Sequence, residues 1–437
     1  MEQHRHCAPA DGGWTMAPPP WLGRRRSVSL AVALPALLAA CAAHPADAAR
    51  RDTASRHNRT FAAPVPDTAT FVTTLGDDTI AVERYRRAGT ALVGDIVLRA
   101  PVTVLYHYAI TFRPGGGMER SVVDLTEPGA PDGPRYRTTI AVDGGTARIA
   151  VDSSGVVKTY RRSVPADIMP GLMTGFGSDY GLYISLGIYQ ADAATVGPAL
   201  GVVTDVPVLD VASGELSTKH LVRRSPTDVD VDYFRIAWTR LGMDARGRID
   251  SANASGTTEK TLSARTGPMN VDSVVAAFAR RDREGESVGQ LSPPASAAGR
   301  IGAASVTIRY NSPRRRGRVI LGATVPYGQV WRTGADAATE LTVDRPVIIG
   351  GKRIPAGTYT LWTIPEPDRA TLIINGQYGQ WGTDYDSTRD VARVPVRVAR
   401  GRPVREDFTI SLAGGGAAQV LRMAWGGFVW TVPVSAP

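Results

Sequence analysis

From Phe71 onward the chain alternates apolar and polar residues with a period of two. TIAVERYRRAG, ALVGDIVLRA and VTVLYHYAITF show it first, and RYRTTIAV, ARIAVDSSG and VVKTYRRSV continue it. Successive side chains of a strand point to opposite faces, so this period predicts strands with one face on a core. Gly144-Gly145 and Ser154-Gly155 fall between such runs and predict hairpin turns. Consecutive hairpins predict one large antiparallel N-terminal sheet, open or curled into a half-barrel. Pro165 to Val196 breaks the alternation and predicts a short helix with a loop over the sheet. LSTKHLVRR, DYFRIAWTRL and GRIDSANAS return to strand and turn patterns. In VDSVVAAFARRDREG the period changes: Val271, Val274, Val275 and Phe278 share one helical face, so a helix closes this region or leads out of it.

Residues 284–300, EGESVGQLSPPASAAGR, are small, polar and proline-containing, and predict a linker. Beyond it come SVTIRYNSP, RVILG, TELTVDRPVII, GTYTLWTIP, TLIIN, RVPVRVAR, DFTISLAG, QVLRMAW and FVWTVPV. Glycine pairs and a Pro-Ala-Gly turn punctuate them. Eight or nine short strands in this span predict a β-sandwich or jelly-roll-like domain over 301–437. The fold class is therefore all-β: a β-rich domain over 67–283 ending in a helix, then the sandwich.

The N-terminus changes where this fold is expected to work. Arg24, Arg25 and Arg26 precede an apolar run from Ser27 to Ala40, too short to span a bilayer comfortably. It ends in Leu38-Ala39-Ala40-Cys41, which resembles a bacterial lipobox and implies cleavage before Cys41 and a lipid on its sulfur. Residues 1–40 then read as a signal peptide and 41–66 as a flexible polar tether. Removing 1–40 takes away four arginines and two acids, leaving 46 basic and 39 acidic residues, net +7. So mild an excess over so long a chain is no nucleic-acid signature. The cluster Arg314-Arg315-Arg316-Gly317-Arg318 reads first as a solvated loop, and second as a contact for lipid phosphate.

Missing residue types narrow the chemistry. No cysteine follows Cys41, so thiolate catalysis, thiolate metal sites and disulfides within the folded part are excluded. His107 and His220 are the only histidines beyond the tether. That excludes a Ser-His-Asp triad or a multi-histidine zinc site in the C-terminal half. Each of the two reads as a hydrogen-bonded strand residue. No nucleophile elbow, Walker loop or dinucleotide fingerprint is present. No metal or other cofactor is expected. Asp384, Asp386 and Asp390 have an oxygen-ligand spacing, but Arg389 and Pro395 stand where an EF-hand needs Gly and Glu.

LSPPASAAGRIGAASVTIRYNSPRRRGRVILGATVPYGQVWRTGADAATEL, then IPAGTYTLWTIP, then Asn375 and Trp381-Gly382, resemble the bacterial family called domain of unknown function 2911. The resemblance covers roughly residues 288–437 and implies a secreted or lipid-anchored protein with no activity to carry over. Where many members have Asn-Glu after WRTGA, this chain has Asp336-Ala337. A role needing a carboxylate at 337 is lost here. Five tryptophans lie in this part. Trp362, Trp425 and Trp430 fall in strand patterns and read as core; Trp331 and Trp381 fall in loop-like segments and read equally as core or as stacking platforms. Arg332 reads as a lock on its loop, or as a bidentate ligand for an anion. Thr333, Asp336 and Thr339 suit side-chain-to-backbone turns, and Gly328 and Gly334 suit positive φ.

These readings lead to a lipid-anchored cell-envelope protein, on the periplasmic face of the outer membrane, that binds rather than catalyses. Its candidate surface is Tyr327, Trp331, Arg332, Asp336, Trp381 and Tyr385. Its partners are the membrane, through Cys41, and an envelope glycan, peptide or lipid. One alternative is a hydrolase of envelope glycan or peptide using two of Asp336, Glu340, Asp384 and Asp386, which would flank one cleft roughly 5–10 Å apart. Another is a lipid or lipoprotein carrier that cups its cargo in the N-terminal sheet. The lipobox makes a direct prediction: globomycin blocks maturation, and Cys41→Ser moves the protein from the membrane to the soluble fraction. Unchanged fractionation of the variant on membrane flotation refutes the anchor.

Overall fold

Strands account for most of the chain in the computed structural model, which describes residues 65–128, 135–174, 183–232 and 238–437. The expected signal peptide, Cys41, the tether up to residue 64 and the glycine-rich stretch 175–181 lie outside the described residues. Eight strands from Asp67 to Ser163 run as a meander, each hydrogen-bonded to the next. Six more, from Val203 to Thr266, form a second meander. The two are joined through their first and last strands: Asp67–Leu75 pairs antiparallel with Leu262–Thr266, Thr70 opposite Thr266. A short strand, Met169–Gly171, adds parallel to Val203–Asp210 at the far edge, completing a fifteen-stranded sheet. The expected turns are in place, with Asp143 opposite Thr146 and Ser153 opposite Val156.

The alternation works as anticipated. Along Val104–Phe112, Val104, Tyr106, Tyr108, Ile110 and Phe112 are buried, and the residues between them are not. Their face closes on helix α1, Leu186–Ala193, all eight residues of which are buried. A helix with no solvent at either end needs partners for its terminal amides and carbonyls, and charge that suits its dipole. Glu83, fully buried in its strand, supplies the anion. Its carboxylate accepts from the backbone N–H of Leu186 (2.7 Å) and Gly187 (3.2 Å), from Ser185 Oγ (2.7 Å), and from the hydroxyls of Tyr108 and Tyr183 (2.6 Å each). Near the other end, Asp192 pairs with the fully buried Lys219, whose ammonium lies over the Tyr189 ring. Gln190 ties the middle of the helix to the second meander through Gly247 O and Ile249 N.

Helix α2, Val271–Arg283, follows the first sheet as its spacing predicts. Asn270 caps it, accepting from Ser273 N, and Arg280, Arg281 and Arg283 crowd the negative end of its dipole. Asp282 accepts from Thr103 N and fixes the helix to the first domain.

The C-terminal domain is a nine-stranded sheet with a main apolar core that includes Ile308, Leu361, Ile374, Trp425 and Trp430, and a smaller cluster of Ala338, Trp362 and Ile373. Its long hairpin, Asp390–Gly415 with Ala418–Ser435, slips register between Arg400 and Thr409 and so bends. The bent hairpin comes back over the opposite edge of the sheet, where Tyr310 accepts from Ile410 N and Gly302 N donates to Gly416 O. That edge corrects one expectation. Pro294–Ile301, which begins inside the stretch expected as linker (284–300), is a strand paired along its length with Ala304–Asn311. It lacks large side chains because it is an edge strand whose residues are mostly exposed or half-buried.

Glu83 generates a prediction. Glu83→Ala leaves five buried donors without their acceptor, and costs about 3–5 kcal/mol of stability to urea. A loss under about 1 kcal/mol in urea titration would show that the helix terminus does not depend on it.

Candidate functional site

The segment carrying the sequence signature, 325–339, leaves the regular sheet and returns to it. Trp331 exchanges backbone hydrogen bonds with Thr363, and Gly328 N donates to Pro365 O. Beyond these contacts the backbone takes two left-handed steps, at Thr333 (φ 54°), just before the strand Ala335–Val343, and at Asp336 (φ 55°), the second residue of that strand. The sequence places these steps at glycines instead. Gly328 does adopt one (φ 72°). Gly334 does not; it serves close approach, since a Cβ there would lie 2.8 Å from Thr339 Oγ1. A β-branched residue at positive φ is strained by roughly 1–3 kcal/mol and persists only where its surroundings over-determine it. Thr333 is fully buried, its Oγ1 is 2.8 Å from Thr363 Oγ1, and its carbonyl accepts from Thr339 Oγ1.

Arg332 is the other constraint. Its Nη1 donates to Asp336 O (3.0 Å), and Gly382 N donates to the same oxygen (2.9 Å). Ala337 and Trp381 form a bridge, and Ala338 N donates to Gln380 O. The Arg332 side chain lies across Gly382, where a Cβ would overlap it and Asp336 O. Burial lowers the Arg332 pKa, with Asp336 opposing; burial raises that of Asp336, with Arg332 opposing.

Of the six residues the sequence singles out for display, three come together: Arg332, Asp336 and Trp381. Trp381 is 51% exposed. Trp331 turns the other way. It stacks on Trp425 at 5.9 Å, meets Phe408 edge-on at 5.2 Å, and donates from Nε1 to Gly334 O. It is therefore a core residue, where its large apolar area counts most and its one donor is satisfied. Tyr385 packs on Trp362 and donates to Asp390, which also pairs with Arg393. Tyr327 lies over Gly322, beyond the Gly328–Pro365 contact.

The four acids considered for hydrolysis serve separate structural ends. Asp336 accepts from Asn311, Glu340 faces Arg309 at 3.5 Å, Asp386 caps the turn at Thr388, and Asp384 is exposed. His107 and His220 sit on strands against Asp95 and Asp205.

Two residues that the sequence does not mark lie where the domains meet. The arginine-rich cluster is not a solvated loop: Arg316 is buried, its carbonyl accepts from Asp77 N, and its guanidinium pairs with Asp78. These partners are the turn after the first strand, and Leu262, paired with Thr74, brings the loop before it to the same end of the sheet. In that loop Lys260 takes a left-handed conformation (φ 59°), and Glu259 precedes it. Glu259 lies on a small cavity with Thr73, Tyr183, Tyr189, Thr261 and Ser263, with room for about one water molecule. Burial lifts its pKa from 4.5 to about 7. In sequence the pair sits in TTEKT, indistinguishable from any exposed polar turn.

Residues 292–434 match the model of a family described as "Protein of unknown function (DUF2911)". This is the C-terminal domain with its first edge strand, and it agrees with the resemblance carried by the motifs. No curated protein matches the chain. Among solved structures, a DUF1089 family protein from Pseudomonas aeruginosa aligns with 11% identity and a TM-score of 0.29, over 40% of this chain and 90% of its own.

Two predictions follow from the geometry. Gly382→Ala forces Arg332 and the Asp336 carbonyl apart, and lowers stability by about 2 kcal/mol or more while Trp381→Ala changes it little. Differential scanning calorimetry of the two variants separates them. Glu259, protonated in the folded state where the unfolded chain has ionised, weakens folding progressively as pH rises from 4.5 to about 7, and fully above that. Glu259→Gln therefore stabilises by on the order of 1–3 kcal/mol at pH 8 and by nothing at pH 4. A gain independent of pH in urea titrations contradicts this assignment.

Proposed function

We propose that this protein is a lipid-anchored binding or structural protein of the cell envelope, held through Cys41 on the periplasmic face of the outer membrane. The observation that carries the binding reading is the rigid presentation of Trp381. Its indole is exposed, yet its backbone is bridged to Ala337 and its neighbour Gly382 is clamped beneath Arg332. An exposed indole on a fixed backbone loses little entropy when a ring stacks on it, which suits a sugar or a peptide side chain. The separate structural engagements of Asp336, Glu340 and Asp386 favour binding over carboxylate hydrolysis. The filled concave face of the N-terminal sheet, with α1 inside it, favours it over carriage of a lipid chain. No helix among the described residues is long and apolar enough to cross a membrane, so the anchor proposed at Cys41 carries the attachment.

The test is co-sedimentation of the full chain with purified peptidoglycan and, separately, with envelope peptides displayed on beads. Trp381→Ala is expected to keep the thermal midpoint and lose about tenfold or more in affinity. Equal binding by the variant to every envelope fraction removes the display reading.

A further inference from the structure

Four buried acids of the first domain are compensated from within the fold. Glu83 has its five donors, Asp67 has Arg265 and Tyr85, Asp192 has Lys219, and Asp230 has Arg224 and Arg240. Glu259 differs. It lines the small cavity beside Thr73, Ser263, Tyr183 and Tyr189, and among the described residues no donor or cation meets its carboxyl. The loop that carries it is fixed: Thr257 Oγ1 accepts from Glu259 N and donates to Ala254 O, and Ala254 N donates to Thr261 O. The cations nearby are committed elsewhere. Lys260, next in sequence, directs Nζ to Ser255 O (3.0 Å). Arg265, on the strand that follows, is held by Asp67 and Ile249 O, and Lys219, over the Tyr189 ring, by Asp192. The remaining charge is negative: Glu83 behind the Tyr183 hydroxyl, and Asp232, which with Glu259 and Asp192 raises the Tyr189 pKa after burial.

The neutral groups around the cavity also suit a cation. Thr73 and Ser263 share one hydrogen bond at 2.8 Å, which leaves acceptor lone pairs on both oxygens. Tyr183 gives its hydroxyl hydrogen to Glu83, so it turns a ring and not a donor to the cavity. Ile184, Leu186, Ala252 and Ala254 supply an apolar wall.

A buried carboxylate without donors is costly, and a cation from outside removes that cost. We propose that the cavity at Glu259 is a binding site for a primary ammonium group. Room for about one water molecule is room for one such group. Its three hydrogens suit the carboxylate and the hydroxyl oxygens, and the apolar wall suits the methylene beside it. A quaternary ammonium is too large to enter. The cavity is partly open to solvent, so the rest of the ligand leads outward. Where Glu259 is protonated, the arriving ammonium displaces its proton to solvent and leaves a neutral ion pair. The site belongs to the first domain and is independent of the binding reading at Trp381.

The experiment uses the full chain carrying Cys41→Ser, so that no anchor contributes. Butylammonium and tetramethylammonium are titrated calorimetrically at pH 8, and vesicles of phosphatidylcholine with and without phosphatidylethanolamine are tested by flotation. Glu259→Gln is the variant, and Glu119→Gln, on an exposed strand position, is the control for general loss of charge. Binding of butylammonium, or of the phosphatidylethanolamine vesicles alone, that weakens about tenfold or more in Glu259→Gln and not in Glu119→Gln supports the site. The first result points to a soluble amine and the second to a lipid headgroup. The parent chain adds a readout that a merely structural acid does not give. Burial lifts the Glu259 pKa to about 7 and only the ionised carboxyl binds, so affinity falls about tenfold from pH 8 to pH 6 while the amine stays charged. Glu259→Gln keeps or raises the thermal midpoint at pH 8, which separates lost binding from lost folding. Absence of binding by both the amine and the vesicles, equal binding by Glu259→Gln and the parent, tetramethylammonium binding as tight as butylammonium, or affinity in the parent unchanged between pH 6 and pH 8 overturns the proposal.

Discussion

The first domain is organised around one buried carboxylate. Glu83 stands on the inner face of a strand, between Ala81 and Tyr85, and holds the amino end of a helix that never meets solvent. Removing a charge from water is tolerable only when hydrogen bonds replace its hydration, and here five donors do so. The anion fixes where the helix begins, and Lys219 with Asp192 fixes where it ends. The helix in turn fills the concavity that a sheet of this size produces as it twists. A fold built this way has spent its interior on itself. The end of the sheet that meets the second domain is pinned from outside, by Asp77 N on the Arg316 carbonyl and by Asp78 on the Arg316 guanidinium.

The second domain obeys a different constraint, set by backbone rather than by charge. Thr333 and Asp336 are held in conformations that their side chains disfavour. What holds them is a short chain of contacts: Trp331 inserted among Phe408, Trp425 and Trp430, Thr333 against Thr363, and Arg332 across Gly382. Each contact is ordinary. Together they make the path of this segment rigid, and they explain why Trp, Arg, Thr and Gly are all needed in so few residues. Beside this segment the indole of Trp381 stays half exposed.

Much of the architecture was legible because it depends on periodicity. The alternating strands, the hairpins at Gly144 and Ser154, the helix from Val271 and the burial of Trp362, Trp425 and Trp430 all follow from patterns spanning many residues. The edge strand from Pro294 was not legible, since half-exposed small residues carry no amphipathic signal. Trp331 was ambiguous because a loop can point an indole either way, and only the aromatic cluster across the domain decides. Positive φ at Thr333 and Asp336 ran against propensity, as strained positions do when tertiary contacts override local preference. Glu83 left a faint trace, an acid sharing the period of Ala81 and Tyr85. Glu259 and Lys260 left none, because neighbours from a distant part of the chain create their environment.

The pairing of Asp67–Leu75 with Leu262–Thr266 has a consequence for the order of events during synthesis. Thr73 and Ser263 hydrogen-bond across 190 positions, whereas nearly every other strand in that sheet pairs with its neighbour in sequence. Each meander can assemble from local contacts, but the seam between them must wait for the last strand, and contacts that distant are slow to form. Until residue 266 has emerged, the first strand of the domain is an open edge able to accept a foreign strand. The weak point in the life of this protein is therefore the interval before its two half-sheets meet.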